Sequence, residues 1–136
     1  INGDEWAKRI PGSEESIYQG GFHFVHFTDI DNPVETAIYQ VPEVGSHNHW
    51  VEGDILYAGY YYGGIRVLDI SGELLGDLYA QGREIAFFEG RDPNGKIPNE
   101  TNVWGVIPYK GLIYFADHYN GLWAVRLVDD EPMGTN

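Results

Sequence analysis

Cysteine is absent from the 136 residues, so no disulfide holds the fold and the redox character of the compartment leaves no mark on the sequence. Basic residues are scarce: eight lysines and arginines stand against twenty-one aspartates and glutamates, a net charge of -13. A surface of that sign repels a phosphate backbone and an anionic bilayer alike, which removes nucleic acid from the expected partners. No run reaches the ~18 apolar residues of a membrane span. The opening INGDEWAKRI has neither an initiator methionine nor an apolar signal core, as expected of a processed or partial chain. Phosphate-binding glycine loops, HExxH and the nucleophile elbow are missing as well, so no motif argues for catalysis.

What the chain does have is glycine and aromatics. Eighteen glycines, ten tyrosines and an aromatic share of 15% describe an all-β protein with many tight turns. Residues 1–19 mix charge, glycine and proline without a period and read as an irregular segment; 129–136 read as a flexible acidic tail. In GFHFVHFTDI the alternation places Phe22, Phe24 and His26 on one strand face and His23, Val25 and Phe27 on the other. A DNP turn leads to a second strand, VETAIYQV. HNHWVEGDILYAGYYYGGIRVLDI then reads as three antiparallel strands in sequence. Leu74, Leu75, Leu78 and Tyr79, at helical spacing and stopped by Gly82, predict a short helix near 73–81 before an outer strand at 84–89.

The chain also repeats itself. GDILYAGYYYGGIRVLDI lies over KGLIYFADHYNGLWAVRL without a gap: Ile55 falls on Leu112 and Gly64 on Gly121, both 57 residues apart. Upstream, FVHFTDI matches IRVLDI with Asp29 over Asp69, an offset of 40. A unit of roughly 40 residues with four short strands is the signature of a propeller blade. The expected fold is therefore a partial β-propeller of about two to three four-stranded antiparallel blades: residues 20–41 closing one blade, 47–89 forming a complete one, and 102–128 giving three strands of the last. A closed ring needs at least about four blades, so this chain cannot close one alone.

Those segments, from SHNHWVEGDILYAGYYYGGIRVLDIS through NVWGVIPYKGLIYFADHYNGLWAVRL, resemble the C-terminal part of LVIVD-repeat β-propeller proteins. The resemblance covers residues 20–128 and implies an extracellular, cell-surface or periplasmic protein with no defined reaction. The preferred reading is a non-catalytic interaction or structural module, and because an incomplete ring leaves apolar blade faces uncovered, the expected partners are the remainder of the propeller or neighbouring protein chains. The chain departs from the pattern where Trp104 replaces a histidine and Arg126 an aspartate.

Several residues are candidates for a site. His47 and His49, two apart on a strand, project from one face and could share a transition metal, although two ligands are too few for a structural zinc; an enzyme using them with His118 is the alternative function. Tyr60, Tyr61 and Tyr62 of GYYYGG and Asp117, His118 and Tyr119 of the matching ADHYNG fall at strand ends whose loops converge at one rim, a position suited to a ligand surface; Tyr61 and His118, together with Trp104, are the ligand candidates, whereas Tyr57, Tyr60 and Tyr114 are expected to pack between sheets. Glycan binding through Tyr61, Trp104 and Trp123 is a further option. Asp29, Asp31, Asn32, Asp92 and Asn94 have the oxygens for calcium but sit in ordinary turn sequences. Asn99 opens an N-glycosylation sequon.

Overall fold

The computed structural model describes the backbone of residues 2–3, 6–9 and 16–128, and the side chains of 20–128; the tail expected at 129–136 lies outside the described residues. The strands are β1 (Asn2–Gly3), β2 (Trp6–Arg9), β3 (Ser16–Gln19), β4 (Gly21–His26), β5 (Val34–Gln40), β6 (Ser46–Glu52), β7 (Ile55–Tyr60), β8 (Gly64–Asp69), β9 (Gly76–Asp77), β10 (Glu84–Phe88), β11 (Val103–Tyr109), β12 (Leu112–Asp117) and β13 (Gly121–Val125). They form a first sheet in the order β1-β4-β5-β9, a second in the order β10-β8-β7-β6, and a third in the order β11-β12-β13. The two-stranded hairpin β2-β3 stands apart, so the segment read as irregular contains short strands.

The expected helix at 73–81 does not form. Leu78 is fully buried and donates its amide to the Ile38 carbonyl at 2.8 Å, which draws β9 alongside β5 as a short parallel strand. Gly76 and Gly82 take positive φ of 66° and 70° at either end, and the Asp77 carboxylate accepts the Ala80 amide to close a turn. The leucine spacing that imitates a helix is met by an anchored turn, with Leu75 left exposed.

The 57-residue repeat is visible in the hydrogen-bond register. Leu56 opposes Leu68 as Ile113 opposes Val125, and Tyr60 opposes Gly64 as Asp117 opposes Gly121. Ser46 opposes Tyr60 as Val103 opposes Asp117, and each of these hairpins is bulged directly after that pair. The first sheet repeats the second at a different offset from the expected 40. The bulge between Phe24 and Val25 corresponds to the one opposite Val67 and Leu68, which sets Gly21-Phe22 on Gly64-Ile65, an offset of 43. A Cβ on Gly21 would stand 2.9 Å from the Tyr39 carbonyl oxygen, and one on Gly64 would collide with the equivalent carbonyl of Phe88. The His23–Glu35 pair at 2.7 Å takes the place of Arg66–Glu84 at 3.4 Å. The offset of 40 aligns two aspartates, Asp29 and Asp69, that each accept the amide two residues on; the first simply lies three residues farther from its strand.

The sheets stack in chain order with the same face always turned to the next. Phe22, Phe24, Ala37 and Tyr39 of the first sheet pack on Leu56, Ala58, Tyr60 and Leu68 of the second. The opposite face of the second sheet, with Ile65 and Val67 flanked by Ile55 and Tyr57, packs on Val103, Val106, Ile113 and Phe115 of the third. Period-two alternation separates these two buried faces within the central sheet, and burial of aliphatic and aromatic area on both sides is the main stabilising term. Across the first interface Tyr39 donates its hydroxyl to Glu84, and burial together with that carboxylate raises the phenol far above its ordinary value. Glu84 in turn lies against Arg66, which is 8% exposed and also lies over the Phe87 ring. The buried charge is thus paired and hydrogen-bonded, as its desolvation requires.

Candidate functional site

Four of the candidate residues come together at one end of the second and third sheets. The His47 ring lies 5.1 Å from the Trp104 ring and 5.4 Å from that of Tyr61. The His118 ring meets Trp104 edge-on at 5.3 Å, and Tyr119 stacks behind it at 6.1 Å. The repeat explains the meeting: His47 and Trp104 are equivalent positions on β6 and β11, and Tyr61 and His118 are equivalent positions in the turns that follow β7 and β12. Adjacent sheets therefore deliver the same two places side by side. An indole and three smaller rings fill them.

Asp117 fixes the turn that carries His118. Its carboxylate, 4% exposed, accepts the Thr101 hydroxyl at 2.5 Å, the amides of Asn102, Tyr119 and Asn120, and the Asn120 side-chain amide. Asn102 completes the arrangement: its side-chain oxygen accepts the Trp104 indole N–H at 2.8 Å and its carbonyl accepts the His118 amide at 2.8 Å. Both walls of the corner are thus tied to one residue. In the sequence, Asp117 is placed beside His118 by the match of ADHYNG to GYYYGG, but Thr101 and Asn102 carry no spacing that distinguishes them from turn residues, because their relation to Asp117 depends on β11 and β12 being paired.

His47 and His49, the expected metal pair, pack against different neighbours. The bulge between Ser46 and His49 breaks the alternation on which a shared face depends. His47 turns toward Trp104, whereas His49 packs edge-on against Phe22 of the first sheet at 5.2 Å, and burial pushes its imidazole below the ordinary value. Among the described residues no three His, Cys, Asp or Glu side chains lie close enough to hold a metal ion. Two of the calcium candidates, Asp29 and Asp92, direct carboxylate oxygens to their own turns. Asp29 accepts the Asp31 amide and the Asn32 side chain, which holds its carboxyl below the usual range, and Asp92 accepts the Asn94 amide.

Trp123 does not join Tyr61 and Trp104. It stacks on Phe115 with ring centroids 6.0 Å apart and lies 5.7 Å from Phe88, within the packing between the second and third sheets. Asn99 is exposed with a φ of 61°, and the Thr101 hydroxyl of its sequon is committed to Asp117. Tyr60 is fully buried, as expected, with its hydroxyl donating to the Tyr39 carbonyl. No helix of the described residues is long and apolar enough to cross a membrane. Compared with protein-family models, with curated proteins and with solved structures, the chain matches none.

Proposed function

We infer that the chain is a section of a β-propeller of the LVIVD-repeat type and works as a non-catalytic interaction module outside the cytoplasm. The observation that supports this reading is the shared register of the second and third sheets at an offset of 57, combined with same-face stacking of all three sheets. In a propeller each blade lays one face on its neighbour and the innermost strands line a channel. On this reading β6 and β11 are innermost, β10 is outermost, and the third sheet lacks its outer strand among the described residues. The extracytoplasmic location rests on the family resemblance alone.

The same reading assigns a partner. Leu112, Tyr114, Leu122 and Ala124 of the third sheet correspond to Ile55, Tyr57, Ile65 and Val67 of the second, the face that the next sheet covers. Leu122 is 76% exposed, although its equivalent Ile65 is 1% exposed. The surface that fits is another sheet of the repeat, supplied by the remainder of a longer chain or, for this chain in isolation, by a neighbouring molecule. Sedimentation velocity on the isolated chain and on Leu122→Asp tests it. The wild type is expected to self-associate reversibly, and the variant to associate at least about tenfold more weakly with its thermal stability unchanged to within about 0.5 kcal/mol. A wild type that remains monomeric at its highest soluble concentration would contradict the assignment.

A further inference from the structure

Trp104 and His118 are more than packing partners. Their rings stand at 80° to each other and form two walls of an open cleft of about 270 Å³, whose other lining residues are Ala116 and Asp117. Trp104 keeps 45% of its surface exposed although its N–H is already satisfied by Asn102, so what it offers to the cleft is a ring without a free donor. Beside this corner lies a carboxylate with no countercharge: among the described residues no Lys, Arg or His nitrogen lies within 4 Å of Asp117, whose negative charge is held by neutral donors alone. The chain as a whole carries a net charge of -13.

We propose that this cleft binds a small organic cation of the alkylammonium class, seated against the faces of Trp104 and His118. An aromatic face attracts a cation through its quadrupole, tryptophan most strongly, and the attraction grows when the site is partly desolvated. Asp117 and the acidic surface add to the same potential, and they oppose an anion. A sugar fits less well, since it needs convergent polar groups for its hydroxyls. Here the donors around Asp117 are consumed within the protein, and only the His118 ring is left to supply a hydrogen bond among the four lining side chains. The inference stands on the corner's geometry and does not require the propeller reading.

Indole ¹⁵N–¹H NMR of the whole chain tests it, with choline as the probe and 3,3-dimethylbutan-1-ol, its uncharged carbon isostere, as the control. The Trp104 indole resonance is expected to move saturably with choline, with a dissociation constant in roughly the millimolar range, and at least about fivefold more weakly with the isostere. Trp104→Leu is expected to remove the response, as read on a backbone amide of the Asp117 turn, while the indole resonances of Trp50 and Trp123 report that the fold is intact. Should that variant misfold, His118→Ala, at an exposed position, is expected to weaken choline binding about threefold or more. Equal responses to choline and its isostere, choline binding that survives Trp104→Leu, or saturation of the same resonance by a neutral sugar more tightly than by choline would each overturn the proposal.

Discussion

Gly64→Ala is expected to destabilise the chain by about 3–5 kcal/mol, whereas Gly121→Ala, at the equivalent position of the next sheet, costs only about 1–2 kcal/mol. Both glycines take a left-handed φ, 73° and 82°, so both variants carry the conformational penalty. They differ in what the new methyl meets. At Gly64 it would collide with the Phe88 carbonyl oxygen and stand 2.9 Å from the Glu89 Cα, because β10 closes over β8 at that point. At Gly121 no outer strand is present among the described residues, and nothing lies within 4 Å of where the Cβ would stand. Urea denaturation of the two variants measures the difference, with equal m-values confirming that the unfolded states are comparable. Equal losses would mean that β10 does not pair with β8 as described.

The second large effect lies between the second and third sheets. Phe115→Ala is expected to cost about 3–5 kcal/mol, and Leu122→Ala on the opposite face of the same hairpin less than about 0.5 kcal/mol. Phe115 is 1% exposed, stacked on Trp123 and edge-on to Phe88, and its ring closes against Gly90 at 3.3 Å from where a Cβ would stand. Truncation leaves a cavity that rigid sheet backbones on either side cannot collapse to fill. Leu122 has solvent where the next sheet would be, so in the monomer its side chain has little burial to lose. The contrast is measured by thermal unfolding at a concentration too low for association. Comparable losses at both positions would show that the outer face is covered in solution.

Strand identity was legible because alternation and turn residues agree along most of the chain, and the 57-residue repeat was legible because hairpins β7-β8 and β12-β13 match without a gap. Three features were not. The upstream offset slipped by three because turn aspartates such as Asp29 and Asp69 are interchangeable in sequence, while the bulge that fixes the true register leaves no residue signature. The leucines of 74–78 imitate a helix because a buried turn and a helix face can both use apolar residues three or four apart, and only the Ile38 carbonyl decides between them. His47 and His49 look like a pair because a strand without a bulge would place them on one face.

At the candidate site the repeat did most of the work. Tyr61 and His118 could be matched as equivalent positions, and so could His47 and Trp104, which is enough to bring all four to one place once neighbouring sheets stack. The supporting groups were hidden for the opposite reason. Thr101 and Asn102 belong to a part of the chain that meets the Asp117 turn only after the third sheet has formed, and Asp117, although placed by the repeat beside His118, stands where the second sheet has Tyr60, so its role as the acceptor that binds the turn together has no counterpart there.

The central claim is that three sheets of one design stack in chain order, with the second between the first and the third. Aromatic NOE spectroscopy on a sample labelled at phenylalanine, tyrosine and tryptophan tests it most directly. The account expects cross-peaks joining Phe22 and Tyr39 to Tyr60, cross-peaks joining Phe88 to Phe115 and Trp123, and none joining Phe22 or Tyr39 to Phe115 or Trp123. A direct cross-peak between rings of the first and third sheets, or the absence of either expected set, would contradict it.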